Sequence, residues 1–195
     1  MHSLLQSLLQ LDYRIWRRIN ITWHNSILDV LAPIFRNPYT WAPLYAFLAV
    51  FIPWKFKKSG LYWCLGFLIT FALSDYTSAS LIKPYVHRIR PCNDGALRAG
   101  MHLLVDCGSG YSFPSAHAAN HFGLALFMSL TLRHQYKWIW VPAFLWAFSV
   151  AYAQVYVGVH FPLDVTCGAL LGLLAGTITG LFFDRKIGLA AARRR

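Results

Sequence analysis

Residues 162–183 read PLDVTCGALLGLLAGTITGLFF, a run in which Asp164 carries the only charge. A helix that crosses a bilayer needs about 20 mostly apolar residues, so this stretch is long enough to span a membrane. Three other stretches have the same character, and a weaker one has prolines near both of its ends. Because lipid offers no hydrogen-bond partners to the backbone, such spans fold as helices. The predicted spans are residues 37–54 (the weakest), 60–82, 114–132, 138–159 and 162–183.

The composition of the chain also favours a membrane protein. Of its 195 residues, 57% are apolar and 13% are charged, whereas a soluble domain has roughly 45–50% apolar and about 25% charged residues. Disorder is excluded, because it requires low hydrophobicity. We therefore predict an all-α fold, an integral membrane helical bundle of about five transmembrane helices that forms a single domain over residues 1–195.

The first residues of the chain have a different pattern from the spans. Leu4, Leu8, Leu11 and Ile15 recur at helical spacing, with most of the polar residues elsewhere. This pattern is typical of an amphipathic helix that lies in the membrane interface. We expect three parts: residues 1–36 with the interfacial helix and its approach, residues 37–183 with the transmembrane bundle, and residues 184–195 as a basic tail.

The net charge of +11 comes mainly from basic clusters between the spans. A nucleic-acid-binding face would instead show basic residues interleaved with aromatic ones. Residues 55–59, 133–137 and 184–195 together hold ten Lys or Arg, whereas residues 1–36 hold four. Cytoplasmic loops are enriched in basic residues, so we place the ten-charge side and the C-terminus in the cytoplasm. The other side then faces outward, and the scarcity of loops outside the bilayer favours a bacterial inner membrane with a periplasmic active site.

Three polar segments lie at the outward ends of their spans. KPYVHRIRP begins at Lys83, FPSAH at Phe113 and QVYVGVHFPLD at Gln154. Topology brings them together, because each lies at the same end of its helix. Lys83 and Arg90 are suited to bind phosphate, one as a point charge and the other as a bidentate fork. Arg88 is a further residue that could add positive charge for phosphate binding.

The other two segments supply groups for catalysis. Pro114 fits a first helical turn, so Ser115 and the N–H groups after it form an anion site, with His117 placed to protonate a leaving oxygen. His160 and Asp164 are four residues apart and share a helical face. The carboxylate fixes the tautomer of the imidazole and leaves its other nitrogen available for attack. Each segment alone also fits a structural role: headgroup anchors, a helix start, or a His–Asp pair.

Together the segments resemble the signature of the type-2 phosphatidic acid phosphatase superfamily: K-x6-R-P, then P-S-x-H, then S-R-x5-H-x3-D. The first two elements match in full, although Ala116 stands where glycine is usual. In the third element His160 and Asp164 match, but Ala153-Gln154 stands in place of Ser-Arg. The resemblance implies a metal-independent membrane enzyme that hydrolyses a lipid phosphate or diphosphate through a phosphohistidine intermediate.

The resemblance also implies a role for each matching residue. His160 is expected to be the nucleophile, Asp164 to orient it, and His117 to act as general acid and then as base. Gln154 is expected to bind phosphate as a neutral donor, because an amide lacks the charge and the fork of the family arginine. The expected phosphate-binding residues are Lys83, Arg90, Ser115 and Gln154.

The expected partners are the lipid substrate and the bilayer, with no cofactor, no nucleic acid and no obligatory protein partner. Candidate substrates from the resemblance are undecaprenyl diphosphate, phosphatidylglycerol phosphate and lipid A phosphate. Because Gln154 replaces an arginine, the alternative is a catalytically weak or inactive protein that binds lipid phosphates. A transporter is disfavoured, because the chain shows no internal repeat and the helix breaks lie at span ends. His117 and His121 have the spacing of metal ligands, but no third ligand accompanies them.

The cysteines and one acidic residue within a span leave further alternatives open. Cys92 and Cys107 bracket an outward loop, where an oxidising exterior allows a disulfide worth roughly 3 kcal/mol; the alternative is two free thiols. Cys64 and Cys167 lie within spans, where a small buried residue is the ordinary interpretation. Asp75 lies in the outward half of a span, and such a carboxylate is either functional or paired with neighbouring polar side chains.

Overall fold

The computed structural model describes residues 4–189, and this part of the chain contains helices and no strands. The all-α prediction is therefore confirmed. Residues 190–195, the end of the predicted basic tail, lie outside the described residues. Short π-helical or 3-10 turns occur at Arg18–Thr22, Pro38–Trp41, Tyr76–Ile82 and Pro91–Asn93. The α-helices are α1 (Leu4–Arg17), α2 (Ser26–Arg36), α3 (Ala42–Asp75), α4 (Lys83–Val86), α5 (Gly95–Arg98), α6 (Ala116–Leu132), α7 (Trp140–Tyr156) and α8 (Pro162–Lys186).

Helix α3 is a hairpin rather than one straight rod. The chain reverses at Lys57, where φ is 53° and ψ is −128°. A Cβ atom at Gly60 would lie 2.4 Å from the carbonyl oxygen of Ile52, so the two arms approach each other too closely for a side chain there. The predicted spans 37–54 and 60–82 correspond to these two arms.

Helix lengths bear on the predicted number of spans. In the described chain, two helical stretches are long and apolar enough to cross a membrane by themselves, Pro38–Val86 and Pro162–Lys186. The first of these includes the α3 hairpin. Helices α6 and α7 have 17 residues each, which at a rise of about 1.5 Å per residue gives about 25 Å, near the lower limit for a span. The count of five spans stays a prediction.

Helices α6 and α8 are packed together through small residues. Gly168, Gly172 and Gly176 recur every four residues on α8. A Cβ atom at Gly172 would lie 2.0 Å from the carbonyl oxygen of Ala119, and one at Gly168 would lie 2.4 Å from that of Ser115. Small residues at this spacing let helix backbones approach closely in a membrane. The contact places the beginnings of both helices side by side.

Helix α1 packs against the bundle with one face. Asp12 and Trp16 are buried on that face, whereas Leu4, Leu8 and Leu11 are exposed. The leucines of the predicted apolar stripe are therefore not covered by the rest of the described protein. Its location in a membrane interface stays a prediction. Asp12, which the sequence pattern assigned to the polar side, is instead 4% exposed.

The α6–α8 contact predicts that Gly172→Ala destabilises the protein. The added methyl group meets backbone atoms of Ala119, which no side-chain rotation can relieve. Overpacking of this kind costs about 1–3 kcal/mol. Thermal unfolding in detergent should therefore show a lower Tm for Gly172→Ala than for wild type.

Gly95→Ala is the matched control, because a Cβ atom at Gly95 meets no heavy atom within 4 Å. Equal Tm values for the two variants would show that α6 and α8 do not approach each other as closely as described.

Candidate active site

His160 and Asp164 lie at the beginning of α8, and the protein buries both of them. His160 is 2% exposed, and Asp164 is fully buried. The imidazole Nδ1 lies 3.5 Å from the carboxylate Oδ2 of Asp164. The same carboxylate oxygen accepts a hydrogen bond of 2.9 Å from the backbone N–H of Phe161, which caps the helix. Asp164 therefore stabilises the helix start and orients the imidazole at once.

Ser112 lies between these two side chains, and sequence analysis missed it because it belongs to no motif segment. Its hydroxyl donates to Asp164 Oδ2, and its oxygen lies 3.3 Å from His160 Nδ1. With acceptors on the Nδ1 side, the neutral ring is assigned a proton on Nδ1. The lone pair on Nε2 is then available. That nitrogen lies 3.5 Å from Arg90 Nη1.

Burial affects the charge of His160. It lowers the pKa of the imidazole to about 4, although the hydrogen bond to Asp164 acts in the opposite direction. The ring is therefore neutral at physiological pH. A neutral imidazole with one lone pair available has the form that nucleophilic attack requires.

Arg88 differs from the expectation that it would add to the phosphate-binding charge. Its guanidinium donates to Asp164 Oδ1 at 2.6 Å and to Asp12 Oδ2 at 2.5 Å, and it lies over the ring of Phe161. Asp12 Oδ1 also accepts from the backbone N–H of Leu163 at 2.7 Å. Arg88 is thus engaged by two carboxylates. It fixes Asp164 and connects α1 to the beginning of α8.

Lys83 and Arg90 are partly buried cations close to His160. Each interacts electrostatically with Asp164, but the ion pairs among residues 4–189 include neither of them. Burial lowers the pKa of Arg90, whose ordinary value is nevertheless high enough to keep it charged. Within the described chain these cations form no ion pair with a carboxylate, so their positive charge beside His160 is suited to bind an anion.

Ser115 is the N-cap of α6 and lies next to the pair formed by His160 and Asp164. Its side-chain oxygen accepts from the N–H of Ala118 at 3.4 Å, and its own N–H donates to the carbonyl oxygen of Asp164 at 2.9 Å. The side chain is fully buried. The positive end of α6 therefore lies at the same place as the two cations.

His117 follows in the first turn of α6 and is half-buried. The ring lies within electrostatic range of His160 and Lys83. The ring also stacks with that of His121 at 6.4 Å between centroids. His121 Nδ1 is paired with the carbonyl oxygen of His117 at 2.8 Å. His117 thus lies in the first turn of α6 near His160 and Lys83. His121 lies one turn further along the same helix.

Gln154 contributes to the site through its backbone. Its carbonyl oxygen accepts from the N–H groups of Val159 and His160, both at 3.2 Å, which shapes the turn before α8. Its side chain is fully buried, and neither amide atom has a hydrogen-bond partner in the described part of the chain. The structure thus brings together Lys83, Arg90, Ser115, His117, His160 and Asp164, while the amide of Gln154 has no contact that assigns it a role.

A cavity of about 570 Å³ lies between the α3 hairpin and α6, and mostly apolar side chains line it. His117 lies at its wall, as do His121 and Pro38. Asp75 also lines it and accepts a hydrogen bond of 2.9 Å from the amide of Asn120, so this carboxylate has a polar partner inside the bundle. The apolar cavity therefore adjoins His117, the residue expected to act as general acid.

Two side-chain groups bear on the loops and on metal binding. Cys92 and Cys107 form a disulfide in the structure, with Cα atoms 5.8 Å apart. In the described residues, His24, Asp29 and His102 have ligand atoms within 4.8 Å of one another, the spacing of a possible metal site. Here Asp29 Oδ1 is instead paired with His102 Nε2 at 2.9 Å and accepts from the hydroxyl of Tyr156 at 2.6 Å. No predicted site residue belongs to this group.

Known proteins resemble this chain in sequence and in fold. The family model of the PAP2 superfamily matches residues 61–187. A lipid A 4'-phosphatase of Bacteroides thetaiotaomicron is 33% identical over 156 residues, which cover 78% of this chain and 68% of that protein. An undecaprenyl-diphosphatase of Sulfolobus acidocaldarius is 34% identical over 145 residues, 74% of this chain and 64% of that protein. The crystal structure of a transmembrane PAP2-type phosphatidylglycerolphosphate phosphatase from Bacillus subtilis has a TM-score of 0.71 at 25% identity, covering 100% of this chain and 91% of that one.

The position of Ser112 predicts that Ser112→Ala slows turnover with little change in KM. The hydroxyl connects Asp164 with Nδ1 of His160 and has no place on the Nε2 side of the ring. A hydrogen bond to a charged group is worth about 1.5–3 kcal/mol, so kcat for a lipid phosphate should fall by about ten-fold or more.

Ser109→Ala serves as the control, because Ser109 is exposed in the same loop. If both variants turn over substrate at the same rate, Ser112 does not position the imidazole.

Proposed function

The chain belongs to the PAP2 superfamily, and we propose that it hydrolyses a lipid phosphate or diphosphate at the outer face of the membrane through a phosphohistidine intermediate. The predicted family and the predicted enzyme class, a membrane lipid phosphatase, are confirmed by the comparisons. One observation carries the mechanistic part of the proposal: the buried neutral His160 has Asp164 and Ser112 at Nδ1 and the cation Arg90 at Nε2.

In the first step, Nε2 of His160 attacks phosphorus and an N–P bond forms. The P–O bond to the leaving group breaks, and His117 gives its proton to the departing oxygen. The phosphorylated imidazole gains positive charge, which Asp164 stabilises at Nδ1. Water then attacks phosphorus while His117 takes its proton, the N–P bond breaks, and inorganic phosphate leaves with His160 restored.

Positive potential stabilises the charge that develops on the phosphoryl oxygens. Phosphoryl transfer depends mainly on such stabilisation and on positioning. We assign this role to Lys83, Arg90 and the N-terminus of α6 at Ser115. We assign Gln154 the role of a neutral donor, since a buried amide without a partner gains a hydrogen bond when a phosphate oxygen arrives.

The cavity beside His117 supports a lipid as the substrate. Its apolar lining suits an acyl or prenyl tail, and its position lets the headgroup reach His160 while the tail stays among the helices. Candidate substrates are lipid A phosphate, undecaprenyl diphosphate and phosphatidylglycerol phosphate. We place lipid A phosphate first, since the lipid A 4'-phosphatase of Bacteroides thetaiotaomicron is 33% identical over 78% of this chain.

The catalytic roles predict a large difference between two substitutions. His160→Ala should abolish turnover, because no other described group is placed to attack phosphorus. Gln154→Ala should lower kcat/KM by about five-fold, corresponding to about 1 kcal/mol for one hydrogen bond. The measurement is phosphate release by purified protein from the three candidate lipids, with Tm verifying that each variant folds.

Two outcomes would contradict parts of this assignment. Gln154→Ala with wild-type kcat/KM removes Gln154 from the phosphate-binding residues. Wild-type protein no faster than His160→Ala on every lipid favours the alternative, an inactive protein that binds lipid phosphates. Acid-labile radiolabel on wild type, absent from His160→Ala after exposure to labelled lipid, would identify the phosphohistidine.

We also propose a bacterial inner membrane location, with the site on the periplasmic side and the C-terminus in the cytoplasm. Loop charge supports this orientation. In a background without Cys64 and Cys167, an impermeant thiol reagent should label Arg98→Cys in intact cells and leave Lys58→Cys unlabelled. Both positions are exposed on the protein surface, so the reverse pattern would mean that the site faces inward.

A further inference from the structure

Arg36 is the last residue of α2 and belongs to none of the motif segments. We propose that Arg36 is a phosphate-binding residue, and that it supplies the guanidinium that the family signature has at the position of Gln154. The inference rests on the proposed function, since it concerns the same anion site. It adds a ligand from a part of the chain outside residues 61–187, which the family model matches.

Local hydrogen bonds fix the chain around Arg36. Asn37 caps the following turn by accepting from the N–H of Tyr39 at 3.0 Å. The indole N–H of Trp41 donates to the carbonyl oxygen of Phe35 at 2.8 Å. Pro38, two residues beyond Arg36, lines the same cavity as His117. The chain directly after α2 therefore belongs to the wall of the cavity that His117 also lines.

The electrostatic surroundings of Arg36 place it near two site residues. Its charge acts on the imidazole of His117, and the charge of Arg90 acts on Arg36. Arg90 in turn has Nη1 at 3.5 Å from His160 Nε2. An anion held between Arg90 and His117 would therefore also interact with the charge of Arg36.

The hydrogen bonding of Arg36 is incomplete without such an anion. Its Nε is buried and has no hydrogen-bond partner among residues 4–189, and no carboxylate in that part of the chain forms an ion pair with it. A buried donor without a partner is costly, and two neighbouring cations add repulsion to that cost. A doubly charged phosphate would relieve both, because a guanidinium binds phosphate through paired N–H donors.

The charges of the signature support the same assignment. Its K-x6-R-P and S-R elements contribute one lysine and two arginines. Here Lys83 and Arg90 match two of these, and Gln154 is neutral. Arg88 does not make up the difference, because Asp12 and Asp164 engage it. Arg36 restores the third cation from another helix.

The test measures phosphate binding and turnover separately. Arg36→Gln should weaken the Kd for inorganic phosphate by about ten-fold and lower kcat/KM for the lipid by at least as much, the effect of losing one charge-assisted hydrogen bond. Arg36→Lys, which keeps the charge but not the fork, should fall between Arg36→Gln and wild type. Arg98→Gln is the matched control, since Arg98 is an exposed arginine on the same side of the bundle. If Arg36→Gln folds and binds phosphate as tightly as Arg98→Gln does, the inference is wrong.

A second measurement uses the unaltered protein, in case Arg36→Gln does not fold. Phenylglyoxal modifies arginines, and mass spectrometry locates the adducts. Inorganic phosphate should protect Arg36 from modification and leave Arg98 reactive; equal modification of Arg36 with and without phosphate would overturn the inference. Protection of Arg36 in a protein that hydrolyses no lipid would contradict the proposed function alone. Lipid hydrolysis by a protein in which phosphate does not protect Arg36 from modification would contradict this inference alone.

Discussion

The close contact between α6 and α8 is the constraint on which the site depends. Glycines at every fourth position of α8 let the helix backbones approach until the N–H of Ser115 reaches the carbonyl oxygen of Asp164 at 2.9 Å. Two helix beginnings then lie side by side, one with the N-terminal anion site and the other with the His–Asp pair. A larger residue at Gly172 would separate them, and Ser115 would move away from His160 and Asp164. Small residues on α8 therefore set the geometry of the candidate site as well as the packing.

Asp164 takes part both in the structure of the α8 start and in the charge interactions of the site. Its carboxylate caps α8, accepts from Ser112, orients His160 and pairs with Arg88. A buried carboxylate is stable only when its oxygens are satisfied, and here both are. Because Arg88 also binds Asp12, the N-terminal helix stabilises the same carboxylate. The helix that carries the exposed leucines is thereby attached directly to Asp164, so a change in its position would act on this carboxylate.

The helices and the motif residues are predictable from the sequence because their signals are local. Apolar runs locate the spans, basic residues near Lys57 mark the turn of the α3 hairpin, and fixed spacings identify the His–Asp pair. Ser112 and Asp12 gave no such signal, because they lie 52 and 152 positions from Asp164 along the chain and no periodicity relates them to it. Arg88 lies in a motif segment, but its role depends on which groups the fold places within hydrogen-bond distance of its guanidinium. Only the fold decides whether an arginine beside a phosphate site binds phosphate or a carboxylate.

The pairing of Arg88 changes the interpretation of the neutral Gln154. If Arg88 were available for phosphate, the loss of an arginine at position 154 would be compensated nearby. Because two carboxylates engage it, the cations left beside His160 are Lys83 and Arg90, and a phosphate dianion would meet less positive charge than the signature provides. Positive potential is the main requirement of phosphoryl transfer, so a compensating cation is expected on physical grounds. Arg36 meets that requirement with a buried donor that has no partner within the described chain. With phosphate bound to Arg36 as proposed, the replacement at position 154 is a relocation of charge from α7 to α2, and the third cation need not belong to a sequence motif.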